Sequence, residues 1–494
     1  MSGTKAVVFT HFGVRLEDAR AVDSADVEAK LVTRANSYFK SVLPLGNVGL
    51  VYVYVDVGTQ IVLKRLSEIK QKKGVLRLSL RELEIEYEVR NCIQMGFDRA
   101  VKGSRRRRGA APSKLPVVEI IGLPHLLGIF NNLFSRKPQL IADLAGRLGK
   151  FTYDSPKFVE AVIRLARGAS VTHSPYPILR FDADVEINRK GVARLLAAVK
   201  ETLDRNKDHA FFSGEYGRLD REPEPINDFA VRVHWLVDPR TGQLGERGRA
   251  FLRDLGELGA TQVKTSEQMS DAMKGFVESK RGGRTANRNN PQVISGAGLY
   301  MSRKAIRTLP PFTNMTYLSL WVDDHLKRRL HEAVGHLDAG NDNPEYIPGV
   351  RFHQERDPVD KAWTLGYFER VLRGCVLHAL IMRPDGKAGP LAVQIEKMTN
   401  PSKKAMSMVE FRDKLLPAVR ETTADVLSVW RAADYGDTLL SDWATKFVRL
   451  KKFCNAVSHD VMSYLTLVRN WHLYVDAIEN LRPSQAYWLF RDIE

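Results

Sequence analysis

The strongest pattern in the chain is a pair of short apolar runs separated by a helix-like segment. Ala6-Val7-Val8-Phe9 and Leu50-Val51-Tyr52-Val53-Tyr54-Val55-Asp56 are rich in β-branched and aromatic residues, and the second ends in a polar turn, Asp56-Val57-Gly58-Thr59. Between them, Ala25 to Leu43 carries apolar residues at helical spacing. Strand, helix, strand predicts a βαβ unit on a parallel sheet, and so an α/β fold. Further strands are expected at Val117 to Ile121, at Pro177 to Ile187 with an acidic turn, at Ala210 to Gly214, around Val293 to Ser302, and at Gly349 to Arg356. A mostly helical pattern follows Ile121 to about Arg167, and Val192 to Arg205 reads as a helix. After about Leu391 the pattern becomes long amphipathic helices anchored by Trp430, Trp443, Trp471 and Trp488. The expected organisation is an α/β domain over 1–390 and a helical region over 391–494, with no internal repeat.

Charge changes this picture locally. Residues 60–116 hold 15 Lys and Arg against 6 Asp and Glu, a net +9. Most of this stretch reads as helix, although Leu76, Leu78, Leu80, Leu83 and Ile85 also alternate as a strand would. Lys102 to Lys114, which contains Arg105-Arg106-Arg107-Arg108, has no apolar periodicity and is expected to be an exposed, mobile loop. The segments 60–116 and 218–290 are read as insertions in the α/β domain.

Whole-chain composition bounds the class. The chain has 494 residues, 75 basic and 58 acidic side chains, a formal charge of +17 and a sequence pI near 9.6. A hydrophobic content of 44% excludes a disordered or collagen-like chain. Cys92, Cys375 and Cys454 are too few and too far apart for a disulfide scaffold or a cysteine-rich zinc site, and suit a reducing compartment. The best apolar run, Val117 to Phe130, falls short of the roughly 20 residues that span a bilayer and carries Glu119 and His125. The N-terminus has no long apolar centre of the signal-peptide kind. The expectation is a soluble intracellular protein with an acidic partner. It is cytoplasmic, or nuclear if Arg105 to Arg108 is a localisation signal.

The sharpest candidate chemistry is Arg180-Phe181-Asp182-Ala183-Asp184. Two carboxylates at the end of an apolar strand suit one hard cation, Mn²⁺ or Mg²⁺, which takes oxygen ligands and bridges to phosphates. A plain surface turn has the same spacing. Downstream, Val293-Ile294-Ser295-Gly296-Ala297-Gly298-Leu299-Tyr300 is a strand pair interrupted by small residues, which lets backbone approach a ligand or simply turns. Val322-Asp323-Asp324-His325 opens an amphipathic helix, where an acidic residue also serves as a cap. His353 follows on its short strand.

Taken in order, Asp56, Asp-Ala-Asp, Ser-Gly-Ala-Gly, Val-Asp-Asp and a late His resemble the nucleotide-sugar glycosyltransferases of the GT-A fold, over about residues 1–360. Phe9-Thr10-His11-Phe12-Gly13-Val14-Arg15 is similar to the first donor-binding loop of some bacterial members. The resemblance implies a Rossmann-type mixed sheet flanked by helices and a divalent metal. It implies donor contacts from His11, Asp56, Arg180, Asp182, Gly296 and Gly298, and a metal set of Asp182, Asp184 and His353. Asp324, with Asp323 as the alternative, matches the base that takes the acceptor proton, which implies inversion; retention follows if both lie too far from the acceptor. Asp182 lies 126 residues after Asp56, so the fold must absorb an insertion.

The basic segments keep several readings. Arg105 to Arg108 suits a solvated run, a nucleic-acid or localisation patch, or an anionic membrane surface. Arg281, Arg284 and Arg288 in the second basic stretch suit diphosphate or an anionic acceptor. The function expected is transfer of a sugar from a nucleotide diphosphate sugar to a hydroxyl acceptor, with DNA or an anionic envelope glycan as candidate acceptors. The alternatives are a DNA-modifying glucosyltransferase acting on hydroxymethylated bases, of which the base J enzyme is an example, and a non-catalytic nucleic-acid-binding protein with a transferase-like fold.

Overall fold

The fold is taken from a computed structural model. It describes residues 5–14, 25–68, 77–108, 115–134, 138–148, 154–169, 176–183, 185–187, 189–204, 211–217, 298–311, 346–354, 387–432 and 447–482, with single residues within 330–334 and 373–381, residue 484 and the turn at 486–490. The expected βαβ unit is present. Strand β1 (Ala6–Val14) runs into α1 (Ala25–Val42) and returns as β2 (Val48–Val57), parallel to β1 with Phe9 opposite Tyr52. Helices α2 (Thr59–Glu68) and α3 (Leu80–Arg108) lead to β3 (Val117–Ile121), parallel to β2. Next come α4 (Leu123–Phe134), α5 (Pro138–Leu148) and α6 (Asp154–Ala169), then β4 (Ile178–Asp182) on the other side of β1, again parallel.

The sheet continues with β5 (Val185–Ile187), α7 (Arg189–Asp204), β6 (Phe211–Gly217), β7 (Gly298–Met301), α8 (Arg303–Thr308) and β8 (Tyr346–Gln354). The eight strands lie in the order β3-β2-β1-β4-β7-β6-β8-β5. β7 is antiparallel to both β4 and β6, β6 and β8 are parallel, and β5 is antiparallel to β8. The sheet is therefore mixed and the fold is α/β.

Both faces are covered, which explains why β2 is apolar without alternation: parallel strands are buried on both sides. Leu50, Tyr52 and Tyr54 enter one core with α4, α5, α6 and the C-terminal helices, while Val51, Val53 and Val55 enter the other with α1, α3 and α7. The helices after 390 are α9 (Pro390–Thr399), α10 (Met408–Ala432) and α11 (Phe447–Glu479), followed by a 3-10 turn (Tyr487–Phe490). Their apolar faces share one core with the sheet. Trp471 Nε1 donates to Ile306 O at 2.7 Å, and Tyr52 Oη donates to Leu489 O at 3.1 Å. Of the four expected tryptophan anchors, Trp471 and Trp488 are buried; the side chains of Trp430 and Trp443 lie outside the described residues.

One expectation is corrected. Arg105 to Arg108 are not a loop but the last turn of α3. Arginine has high helix propensity, and cations suit a helix carboxyl end. The strand alternative beginning at Leu76 is also set aside from Leu80 onward. Ser79 and Glu82 form a capping box: Ser79 N and Oγ each donate to Glu82 Oε2 at 2.8 Å, and Glu82 N donates to Ser79 Oγ at 3.3 Å. The helix lies close on α1 at Gly96, where a Cβ would stand 2.5 Å from Ala35 Cβ and 2.8 Å from Val32 O. The expected loop at 109–114 lies outside the described residues.

Candidate functional site

β1 is flanked by β2, the next strand in the chain, on one side and by β4 on the other. Such a reversal of strand order opens a crevice at the carboxyl ends of the strands, where ligands of open α/β sheets bind. The register brings the polar ends together. His11 pairs with Tyr54 on one side and Asp182 on the other, and Gly13 pairs with Asp56. Three of the expected donor-side residues, His11, Asp56 and Asp182, thus stand on adjacent strands at one edge. His11 Nε2 lies 3.7 Å from Asp56 Oδ2, and its ring stacks on Tyr54 with centroids 6.1 Å apart.

Asp56 is only 5% exposed and is held by two helix starts. Its Oδ1 accepts from Thr59 N at 3.1 Å at the start of α2, and its Oδ2 accepts from Ser155 Oγ at 3.3 Å at the start of α6. Gly58 makes the turn between strand and helix at φ 57°, a left-handed conformation that favours glycine, and its carbonyl accepts from Ile61 N at 2.9 Å. The carboxylate therefore meets two positive helix ends. Tyr54 is fully buried beside it; burial raises its phenol well above the usual range, and the Asp56 charge adds to the rise. Tyr54 stays a neutral hydroxyl.

Asp182 is half-buried at the end of β4. On the opposite helix α1, burial raises the Tyr38 phenol and the Asp182 charge raises it further. Arg180, two residues earlier, is 7% exposed and engaged below the crevice: its Nη1 donates to Glu160 Oε2 at 3.3 Å. The same Glu160 receives Arg164 through Nε at 2.9 Å and Nη2 at 2.7 Å, and Arg164 Nη1 bonds the carbonyls of Ile178 and Met301. This ties β4 to β7. Gly298, the first residue of β7, pairs with Phe181, one residue from Asp182. His353 pairs through its backbone with Glu186, two residues beyond Asp184, and with Gly217.

Asp184, Gly296, Asp323, Asp324, Arg281, Arg284 and Arg288 lie outside the described residues, as does the side chain of His353. Among the described residues no three His, Cys, Asp or Glu are gathered as a cation would need. No helix among them is long and apolar enough to cross a membrane.

Sequence reading missed Ser155, Glu160 and Arg164. The signal for Ser155 was present in Asp154-Ser155-Pro156, a helix start with proline in its first turn. The others left none, because a buried polar residue on an amphipathic helix looks like any other polar residue until its neighbours are known. The sequence matches no family model, and no curated protein matches it.

Proposed function

We propose that this chain is a GT-A-type glycosyltransferase that moves a sugar from a nucleotide diphosphate sugar to a hydroxyl acceptor with the help of a divalent metal. The observation that carries the reading is the crevice between β1 and β4, where His11, Asp56 and Asp182 meet on neighbouring strands. The pairing of β5 with β8 supports it further. It brings the backbone of His353 beside Glu186, two residues after Asp184 in the chain.

Carboxylates with an imidazole suit Mn²⁺ or Mg²⁺, and in this reading Asp184, Asp182 and His353 hold the ion. Bound there, the metal would neutralise charge on the departing diphosphate. The acceptor oxygen forms a bond to the anomeric carbon as the bond from that carbon to the diphosphate oxygen breaks. The diphosphate leaves with the electron pair. Asp324, or Asp323 beside it, takes the acceptor proton. Arg281, Arg284 and Arg288 pair with phosphate oxygens or with an anionic acceptor. The net +9 of residues 60–116 favours an acceptor that is itself anionic, DNA or an envelope glycan.

The test is hydrolysis and transfer from a panel of nucleotide sugars with Mn²⁺, run on the native chain and on Asp324→Asn and Asp323→Asn. Turnover by the native chain, lost on removing one of these two carboxylates while donor binding persists, is the expected result. No turnover from any donor, combined with tight and salt-sensitive DNA binding, overturns the reading in favour of a nucleic-acid-binding protein.

A further inference from the structure

The outer face of α3 is apolar where it meets water. Its inner face enters the core with α1 through Val89, Ile93 and Ala100, and Gly96 lies close on that helix. On the opposite side Leu80, Leu83 and Tyr87 stand at i, i+3 and i+7, one stripe of a helix, and are 73%, 38% and 64% exposed. Met95, two turns further on, is 39% exposed. Single exposed apolar side chains are ordinary; a run of them along one helix face marks a surface that a partner covers.

Charge divides the same helix. Residues 80–93 carry Glu82, Glu84, Glu86 and Glu88 against Arg81 and Arg90, a net −2. Residues 94–108 carry Arg99, Lys102 and Arg105 to Arg108 against Asp98, a net +5. Acids at the amino end and cations at the carboxyl end suit the helix dipole, but the dipole does not account for apolar side chains in water. A covering partner must be cationic beside Leu80, Leu83 and Tyr87 and acidic beside Lys102. An anionic membrane or a nucleic acid meets the basic half and is repelled by the acidic half, which holds the apolar stripe. A second α3 turned end for end complements both halves.

We propose that α3 is the docking face for a second copy of this chain, the two helices pairing antiparallel about a two-fold axis between Asn91 and Met95. Such a contact is isologous, so each pairing occurs twice. It sets Glu84 of one copy opposite Lys102 of the other, and Tyr87 opposite Arg99 for a ring–cation contact. Leu80 and Leu83 meet the other copy's last turn, whose arginines have aliphatic stems suited to cover them. The pairing uses the charge of α3 alone; a net +6 elsewhere in 60–116 remains for an anionic acceptor.

The experiment is sedimentation velocity of the full chain at tens of micromolar, at low and at high salt. The wild type is expected to be a dimer of its 55.8 kDa chain, with association at least ~10-fold weaker at high salt because exposed charge pairs are screened. Glu84→Lys and Lys102→Glu each place like charges at both ends of the pair and are each expected to be monomeric. Mixed in equal amounts they are expected to dimerise, because every contact between positions 84 and 102 across the axis again joins like with unlike charge. Both side chains are exposed, so neither change disturbs the core, and dimerisation of the mixture itself shows that both variants fold. A monomeric wild type, single variants that remain dimers, or a mixture that stays monomeric overturns the proposal. A wild type that is monomeric and binds phosphatidylserine–phosphatidylcholine vesicles overturns it too, and assigns the face to a lipid surface.

Discussion

At Asp56 one carboxylate ties the starts of two helices to the end of β2, through Thr59 N and Ser155 Oγ. Asp56→Ala leaves buried donors without acceptors and is expected to lower unfolding free energy by ~1–3 kcal/mol in urea titration, with or without nucleotide. A loss of nucleotide binding at unchanged stability would show instead that Asp56 serves the ligand alone. Glu86 makes a second prediction at this scale. Burial raises its pKa from 4.5 to about 7, with Arg90 opposing the shift. Between those values the folded chain holds a proton that the unfolded chain has released, so Glu86 makes stability fall as pH rises from about 4.5 to about 7. His125 has the opposite sign: its folded pKa is lowered from 6.5 to about 4, so its contribution is lost as pH falls through that window. The two slopes oppose each other in the wild type. Glu86→Gln therefore gains stability relative to wild type as pH climbs toward 7, and a flat difference between pH 4.5 and 7 would contradict the burial of that carboxyl.

At the scale of elements, α3 shows what local sequence reveals and what it withholds. Its apolar positions alternate well enough to suit a strand, and its arginine-rich end lacks periodicity. The deciding features are a capping box at Ser79 and Glu82 and the close approach to α1 at Gly96. The first was present in the sequence as Ser-x-x-Glu; the second depends on which helix lies opposite. Gly96→Val is expected to push α3 off α1 and cost ~1–3 kcal/mol of stability, read as a lower melting temperature. The strands of the βαβ unit were legible because burial on both faces leaves uninterrupted apolar runs. The site was legible only where motif and strand end coincide, at His11, Asp56 and Asp182. Ser155, which bonds Asp56, and Glu160 and Arg164, which engage Arg180 and tie β4 to β7, come from one helix, α6, and their partners lie up to 137 residues away.

At the scale of the whole molecule, the C-terminal helices are bound to the sheet rather than beside it. Leu391, Ile395, Phe411 and Trp471 share a core with Val7, Phe9 and Leu50. The last turn is gripped by Arg167, which is 1% exposed and whose Nη1 donates to Leu489 O at 2.8 Å and to Tyr52 Oη at 3.0 Å. A chain ending at residue 390 uncovers that apolar face and is expected to aggregate or lose its cooperative unfolding transition; a fragment that folds with native stability would contradict a shared core. The same unity places α6 between the C-terminal helices and the crevice, so the core and the proposed donor site belong to one packed body. The central proposal is that this crevice binds a nucleotide diphosphate sugar through a metal. Isothermal titration of a nucleotide diphosphate sugar panel into the full chain, with Mn²⁺ and then with chelator, measures it directly, using Asp184→Ala as the control. Saturable binding of at least one donor that needs Mn²⁺ and is lost in Asp184→Ala is the expected result; equal binding with chelator, or in the variant, would contradict the proposal.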